Sequence, residues 1–311
     1  MSQTASSPSP TPWLYSLWKF SRPHTIIGTS LSVFGLFAIA FSGGQNLEIS
    51  TNFSIALDII FTWMACICGN IYIVGLNQLE DIDIDRINKP HLPLAAGEFS
   101  STQGRSIVAI TGIAALIIAS FQDKWLLATV VMSLLMGTAY SFPPIRLKRF
   151  PFWASFCIFT VRGVVINLGI FLHFNRGFPV ISEVWALTLF VLVFTFAIAI
   201  FKDIPDIEGD RKYNITTLTV RLGKKSVLEL ARWVLTGCYL GMAIGGLLFL
   251  PQINPILLGL THLGILSLFW WRSQKIDLTQ KSEIASCYQF IWKLFFLEYL
   301  LFPAVCWLGN I

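Results

Sequence analysis

The chain has 311 residues, of which 55% are hydrophobic and only 13% are Asp, Glu, Lys or Arg. Soluble domains carry about 25% charged residues, so this composition argues against a soluble enzyme, a disordered chain, a disulfide scaffold and a nucleic-acid-binding protein. The apolar residues form long runs between short polar loops, which is typical of an all-α polytopic membrane protein. The net charge of +5 then belongs to loops that face lipid head groups.

Nine apolar stretches are long enough to cross a bilayer core of roughly 30 Å as helices. In chain order they are Thr25–Gly43, Phe53–Leu76, Ser106–Phe121, Trp125–Phe142, Phe152–Phe174, Val180–Phe201, Leu228–Leu250, Pro255–Trp271 and Gln289–Leu308. The segment before them begins with a polar, Ser/Pro-rich stretch, so we predict a disordered tail over residues 1–18. Residues 19–311 are predicted to form a single nine-helix transmembrane domain.

The basic residues give an independent test of this count. The N-terminal segment and the loops after even-numbered spans hold 18 of the 22 Lys and Arg residues, counting one at the foot of the seventh span. Short loops rich in basic residues stay in the cytoplasm. This predicts a cytoplasmic N-terminus and an odd number of spans. The N-terminus resembles neither a signal peptide nor an Arg-rich transit peptide, which favours a bacterial membrane.

Acidic residues concentrate at the ends of two even-numbered spans. Two nine-residue windows, Asn77–Asp85 and Lys202–Asp210, hold eight of the 17 Asp and Glu residues. The topology places both windows on one side of the membrane. The alternative is that they are ordinary solvated charges at helix ends, but loop charges scatter, whereas these repeat as Asp-x-x-x-Asp-Arg, ending at Arg86 and Arg211.

Within each window the spacing places oxygen ligands on one helix face. The first set follows an i, i+4, i+8 spacing and consists of Asn77, Asp81 and Asp85. The second set follows an i, i+3, i+7 spacing and consists of Asp203, Asp206 and Asp210. Pro205 predicts that the second helix bends or restarts. Clustered carboxylates repel one another without a cation, and Mg²⁺ prefers a few carboxylates, water and substrate phosphates. The two faces therefore predict a site for a magnesium-bound diphosphate.

Basic residues supply a third cluster after the fourth span. Arg146 and Lys148 are candidates to neutralise a leaving diphosphate, with Tyr140 as a hydrogen-bond donor. The alternative is that they are positive-inside anchors after a Pro-Pro turn. The remaining basic candidates for substrate binding are Arg22, Lys89, Lys202 and Arg211.

Arg162 lies about ten residues into the fifth predicted span. A guanidinium is costly to bury in a membrane helix, so such a residue is a functional candidate by default. The alternative is that a structural carboxylate pairs with it.

These motifs resemble those of the UbiA superfamily of intramembrane aromatic prenyltransferases. Asn77-Gln78-x-x-Asp81-x-x-x-Asp85 is followed four spans later by Lys202-Asp203-x-x-Asp206-x-x-Gly209-Asp210. The likeness covers about residues 15–310. The usual family motif opens with Asn-Asp, whereas this chain has Asn77-Gln78, and that departure, with the continuation Asn88–Glu98, resembles the homogentisate prenyltransferase branch.

The resemblance implies a UbiA-like bundle whose central cavity opens to the cytoplasmic side. It implies Mg²⁺, as two ions bridging the diphosphate, held by the six residues of the two acidic motifs. Asp81, Asp85, Asp206 and Asp210 carry the catalytic role in that scheme. Prenyl diphosphate and homogentisate are the implied substrates, and the implied reaction is decarboxylating transfer of a phytyl group to give 2-methyl-6-phytyl-1,4-benzoquinol for tocopherol synthesis.

Two alternatives remain open from the sequence. In the first, the prenyl donor is a geranylgeranyl or a longer solanesyl diphosphate, as in the plastoquinone branch. This alternative stays open because apolar runs do not fix the depth of a channel. In the second, the protein is a cation-coupled transporter with carboxylates that bind ions. A transporter needs polar groups throughout the membrane depth, whereas these motifs lie at one side. The implied setting is a cyanobacterial inner or thylakoid membrane, with lipid as a partner and no nucleic acid.

Overall fold

The structure is a computed structural model that describes residues 12–42, 52–212 and 217–309. Every regular element within these ranges is helical, so the all-α prediction is confirmed. The helices are α1 (Trp13–Phe20), α2 (Pro23–Ser42), α3 (Asn52–Glu80), α4 (Ile82–Asn88), α5 (Ser101–Gln122), α6 (Lys124–Ser141), α7 (Pro151–Phe159), α8 (Ile166–Phe174), α9 (Ser182–Phe201), α10 (Asp203–Lys212), α11 (Leu218–Leu222), α12 (Lys224–Phe249), α13 (Pro255–Ser273) and α14 (Lys281–Gly309). A π-helical segment, Thr160–Val165, joins α7 to α8 without a break.

Eight helical spans in the described ranges are long and apolar enough to cross a membrane. They correspond to eight of the nine stretches predicted from the sequence. The ninth, predicted at Trp125–Phe142, forms α6, an 18-residue helix that begins with Lys124 and is not among the eight. Because α6 packs against α3, α5 and α8, it belongs to the bundle, and the count of nine crossings stays a prediction.

Two predicted starts differ from the structure by five residues or more. The fifth helix begins at Ser101 rather than Ser106, because the Ser100 hydroxyl accepts from the Gln103 N–H and the Gln103 side chain accepts from the Ser100 N–H. The last span also begins earlier, at the start of α14. Gly43, the predicted end of the first span, lies outside the described residues.

The predicted disordered tail is wrong over residues 13–18, which belong to α1; residues 1–11 lie outside the described ranges. Because α1 has only eight residues, it depends on tertiary contacts for its stability. Phe20 is fully buried and meets Phe99 with ring centroids 5.9 Å apart. Lys19 forms an ion pair with Glu98, in the loop before α5.

The helix α9 occupies the centre of the bundle. In its most apolar window 67% of the residues are buried, against 22% for α13, which lies at the periphery. It packs against α7, the π-helical segment, α12 and α14. Phe194 of α9 contacts Phe295 of α14 at a centroid distance of 5.7 Å. Because lipid offers no hydrophobic driving force, such close packing is a main source of helix association.

Gly163 allows the π-helical segment to touch α9. A Cβ atom at this position would lie 2.7 Å from the Leu192 Cα and 3.0 Å from its backbone nitrogen. No side-chain movement relieves contact with backbone. Arg162 precedes Gly163 in the same short segment.

We predict that Gly163→Ala pushes the segment away from α9 and lowers the stability of the protein by about 1–3 kcal/mol, as overpacking does. The measurement is the thermal unfolding temperature in detergent. Gly237→Ala in α12 is the matched control, because a Cβ there meets no atom within 4 Å and alanine favours a helix over glycine. Unfolding of Gly163→Ala at the wild-type temperature would contradict the close contact between Gly163 and the α9 backbone.

Candidate active site

A cavity of about 1820 Å³ lies inside the bundle. Its walls include residues of α2, α3, α6, α7, the π-helical segment, α9 and α14. The cavity brings together all but one of the site residues predicted from the sequence. Those that line it are Arg22, Asn77, Asp81, Asp85, Lys89, Tyr140, Arg146, Lys148, Arg162, Lys202, Asp203, Asp206 and Asp210.

The first acidic motif is not one continuous helix, as its spacing predicted. The helix α3 ends at Glu80, and Asp81 lies between α3 and α4. Arg146 explains the break: its Nη2 donates to the Glu80 carbonyl at 3.0 Å and to Asp81 Oδ1 at 3.1 Å. It thereby satisfies a carbonyl that the end of a helix leaves without a partner. The three ligand residues of the motif still line the same cavity.

Asp81 is the most heavily paired carboxylate of the site. The Lys148 ammonium lies 2.6 Å from its Oδ2, and the Asn77 amide donates to the same oxygen at 3.0 Å. With Arg146 on its other oxygen, this carboxylate contacts two cations and one amide. Burial lowers the pKa of Lys148, but the ion pair with Asp81 opposes that shift.

Arg22 connects α1 and α2 to the first motif. Its backbone adopts a left-handed conformation, with φ of 52°, at the junction between the two helices. The guanidinium donates to Asn77 Oδ1 at 3.3 Å and lies 4.0 Å from Asp85 Oδ2. Asp85 is only 4% exposed, and its Oδ2 has no hydrogen-bond partner. Burial therefore raises the pKa of Asp85 to about 6.

The second acidic motif lies on α10, which restarts after a turn at Lys202, as Pro205 predicted. Lys89, from the segment after the first motif, lies 2.6 Å from Asp206 Oδ2 and so joins the two motifs. Asp210 is buried, with an unpartnered Oδ2. Burial, reinforced by the charges of Asp203 and Asp206, raises its pKa to about 7.

Lys202 and Tyr140 meet on the wall of the cavity, where the ammonium donates to the phenol oxygen at 3.3 Å. Arg211, by contrast, does not line the cavity and is exposed at the end of α10. It follows Asp210 directly, and successive residues of a helix point about 100° apart. The structure therefore separates Arg211 from the other predicted residues.

The acidic residues suit a magnesium-type cation by chemistry but do not form a ready cage. Nowhere in the described ranges do three or more His, Cys, Asp or Glu side chains stand close enough together to hold a metal. The reason is that Lys and Arg side chains occupy the space beside Asp81 and Asp206. The unpartnered oxygens of Asp85 and Asp210 nevertheless fit a hard cation, which prefers carboxylate oxygen and water.

Arg162 lines the cavity from the π-helical segment. Its guanidinium lies over the rings of Trp292 and Phe295, at 4.8 and 5.3 Å from their centroids. No ion pair involving Arg162 occurs in the part of the chain that the structure describes, so a structural carboxylate partner finds no support. Trp292 was missed by sequence reasoning, because nothing distinguishes it among the 11 tryptophans.

Two buried histidines outside the cavity lining contact carboxylates from other segments. His262 Nε2 lies 3.2 Å from Glu298 Oε1, and both side chains are fully buried between α13 and α14. His173 contacts two aspartates at the start of α3 and α6. No spacing signal finds these pairs, since the partners come from distant parts of the chain.

Comparison with known proteins identifies the family. The profile of the UbiA prenyltransferase family matches residues 29–294. The chain belongs to the UbiA prenyltransferase family. Membership confirms the resemblance that the two acidic motifs suggested, and it accords with a multi-pass membrane protein.

Individual relatives lie in the homogentisate branch. The chain is 56% identical to the homogentisate phytyltransferase of Synechocystis sp., covering 96% of this chain and 97% of the relative. It is 39% identical to the chloroplastic homogentisate solanesyltransferase of Arabidopsis thaliana, covering 92% of this chain and 75% of the relative.

A solved structure confirms the fold. The UbiA homolog from Archaeoglobus fulgidus bound to GPP and Mg²⁺ aligns with a TM-score of 0.64 over 93% of this chain and 100% of that one. Its sequence identity is 17%.

The raised pKa of Asp210 predicts how pH affects the metal-free protein. The folded protein holds the Asp210 proton up to about pH 7, whereas the ordinary value is 3.8. Stability from this group is therefore present at low pH and is lost as the pH rises through 7. Asn cannot ionise, so Asp210→Asn should show a smaller fall in thermal unfolding temperature between pH 5 and 8, with EDTA present.

Asp83→Asn is the control, since that carboxylate is exposed. An Asp210→Asn protein with the same pH dependence as the wild type would contradict the role of burial.

Proposed function

We propose that this protein transfers a phytyl group from phytyl diphosphate to homogentisate, with loss of CO₂, to give 2-methyl-6-phytyl-1,4-benzoquinol. The observation that carries the proposal is one cavity that joins both acidic motifs and their basic partners to a largely apolar interior. The high identity to the Synechocystis phytyltransferase supports the choice of acceptor and donor.

The two acidic motifs are the proposed metal site. Magnesium held there, proposed as two ions, would stabilise negative charge on the leaving diphosphate. The residues that would hold it are Asn77, Asp81, Asp85, Asp203, Asp206 and Asp210. The proposal draws support from the unpartnered oxygens of Asp85 and Asp210, which are suited to a cation.

The basic side chains have two partners in this scheme. In the free protein Lys148 and Arg146 neutralise Asp81, and Lys89 neutralises Asp206. A bound diphosphate would offer the same cations a second set of oxygens, and the carboxylates that these cations release would then be open to hold a metal ion. We therefore propose that metal and diphosphate bind together rather than in sequence.

The apolar wall protects the reaction from water. Loss of diphosphate leaves a prenyl group with allylic cation character, which water would quench. Aromatic faces stabilise such a charge, and Tyr140, Tyr288 and Trp292 all line the cavity. The ring of homogentisate then attacks the allylic carbon, and the ring proton at that position is lost. The carboxyl group of the side chain leaves as CO₂, and the side-chain carbon takes up a proton to become the methyl group of the product.

Arg162 is the proposed anchor for the homogentisate carboxylate. It is a buried cation on the cavity wall, stacked on Trp292, without a carboxylate partner in the described residues. A carboxylate-bearing substrate would complete its coordination. A carboxylate bound there would leave the aromatic ring in the same cavity as the acidic motifs.

We propose nine crossings, with α6 as one of them and the N-terminus in the cytoplasm. The distribution of Lys and Arg supports this orientation. It places the acidic motifs on the cytoplasmic side, where a charged donor head group is available. The proposed setting is an inner or thylakoid membrane of a cyanobacterium-like cell.

Membranes that contain this protein are expected to convert homogentisate with Mg²⁺ and phytyl diphosphate into the prenylated quinol, detected by chromatography and mass spectrometry. Asp206→Asn should lower kcat by about 100-fold or more, because it removes preorganised charge from the site. Asp83→Asn, outside the cavity, should retain activity. Absence of a prenylated quinol from any donor would overturn the proposal, and a preference for solanesyl diphosphate would move it to the longer-chain alternative.

Arg162→Gln is expected to raise the KM for homogentisate by about tenfold or more. The substrate carboxylate would then be buried without its cationic partner, which lowers the binding free energy by several kcal/mol. The KM for phytyl diphosphate should not change. With methylhydroquinone, which lacks the carboxylate, wild type and variant should have similar kcat/KM.

Arg211→Gln is the matched control and should leave both KM values unchanged. An equal loss by Arg162→Gln with both acceptors would show that the residue does not bind the carboxylate.

A further inference from the structure

A second polar cluster lies at the end of the bundle opposite to the acidic motifs. His173 Nε2 contacts Thr62 Oγ1 at 2.8 Å and Asp58 Oδ1 at 3.2 Å, and its Nδ1 contacts Asp123 Oδ2 at 2.9 Å. Arg176 Nη2 donates to the other oxygen of Asp58 at 2.8 Å. We call these five residues the His173 cluster. It ties together α3, the start of α6 and the end of α8.

The cavity ends just before this cluster. On α3 its lining runs from Asn77 down to Cys66 and Ala65. Thr62, one helical turn beyond Cys66, is fully buried and holds His173. On α8 the lining ends at Ile166, which is two turns from His173 on the same face.

The backbones of α6 and α8 also meet at this level. Thr129, the deepest lining residue of α6, has its Oγ1 1.8 Å from where a Cβ of Gly169 would lie. Only a glycine permits that approach. The walls thus converge at Thr129, and the His173 cluster fills the space behind them.

The depth of the cavity matches a particular length of prenyl chain. From Asn77 to Ala65 is twelve residues of α3, or about 18 Å at ~1.5 Å per residue. With single bonds of about 1.5 Å and angles near 111°, an extended chain advances roughly 1.25 Å per carbon. The main chain of a phytyl or geranylgeranyl group is therefore about 20 Å long, and that of a solanesyl group about 45 Å.

We propose that the His173 cluster closes the prenyl channel and restricts the donor to four isoprene units. The inference deepens the proposed function and rests on it. An apolar floor can yield as side chains change rotamer, whereas the lining residues of this floor are backed by charged and hydrogen-bonded groups in fixed directions. A longer tail would have to separate buried partners, which leaves polar groups unsatisfied.

The test compares donors that share the same allylic chemistry and differ only in length. His173→Ala removes the imidazole and extends the channel by about one helical turn, or ~5.4 Å. One further isoprene unit needs about 5 Å. The kcat/KM for geranylfarnesyl diphosphate relative to geranylgeranyl diphosphate is expected to rise by about tenfold or more, the usual effect of relieving a misfit in an apolar pocket.

His262→Ala is the matched control. His262 is also fully buried and also pairs with a carboxylate, but it lies outside the cavity lining. Its donor ratio should equal that of the wild type. A folded His173→Ala enzyme that keeps the wild-type donor ratio would overturn the proposal, as would an equal change in His262→Ala.

A second variant approaches the floor from inside the cavity, in case His173→Ala does not fold. Cys66→Phe adds a ring at the floor and should lower kcat/KM for geranylgeranyl diphosphate by about tenfold while sparing geranyl diphosphate. Cys68→Phe, two residues along α3 and outside the lining, is its control. An unchanged preference in Cys66→Phe would also overturn the proposal.

Binding of each prenyl diphosphate is measured as well, from the rise in the thermal unfolding temperature of the protein when that diphosphate and Mg²⁺ are added. If homogentisate is not prenylated, the proposed function fails while the length preference is still measured. If prenylation occurs but neither variant changes the preference in turnover or binding, only the role of the cluster fails.

Discussion

Carboxylates that share a membrane-embedded cavity need cations beside them, since charge repulsion is weakly screened where water is scarce. In this protein the cations are Lys and Arg side chains from other segments. Lys148 and Arg146 come from the turn after α6, and Lys89 comes from the segment after α4. These pairs hold α3, α4, α6 and α10 around one space. The break at Asp81 follows from them, because Arg146 takes the last carbonyl of α3.

The same pairs explain why the site has no preformed cage of ligands. Each cation beside a carboxylate stands where a metal would otherwise bind. The arrangement is suited to a substrate that brings its own negative charge, since a diphosphate gives the displaced cations new oxygens. Asp85 and Asp210 each have a carboxylate oxygen without a hydrogen-bond partner and a raised pKa. In the absence of substrate, their carboxyl groups are therefore the ones that neighbouring cations stabilise least.

Between the charged end and the His173 cluster the cavity is largely apolar. This polarity order suits a donor with a charged head and a hydrocarbon tail. In the proposed binding mode, the head group contacts basic side chains that change partners, whereas the tail meets a floor backed by groups whose partners are fixed. Reactivity and chain length are thus assigned to opposite ends of the same helices. Arg162, stacked on Trp292, lies on the cavity wall, where a carboxylate on the acceptor would complete its contacts.

The helices, and the placement of most predicted site residues around one cavity, could be predicted from the sequence because both depend on local spacing. Apolar runs mark spans, and the i, i+4 and i+7 intervals place ligands on shared faces. Sequence reasoning missed features that depend on tertiary contacts. The helix α1 forms because Phe20 and Lys19 contact residues near the start of α5. The break at Asp81 depends on Arg146. Arg211 lies outside the cavity because it points about 100° away from Asp210, the preceding residue of α10. The His173 cluster joins residues far apart in the chain and has no local pattern.

The central claim is that substrate and metal bind together by releasing the Lys and Arg side chains from the carboxylates. Calorimetric titration of the purified protein with Mg²⁺, with and without a non-hydrolysable prenyl diphosphate analogue, tests it most directly. Mg²⁺ is expected to bind at least tenfold more tightly when the analogue is present, equivalent to about 1.4 kcal/mol of coupling. Equal Mg²⁺ affinity in the two titrations would contradict the account.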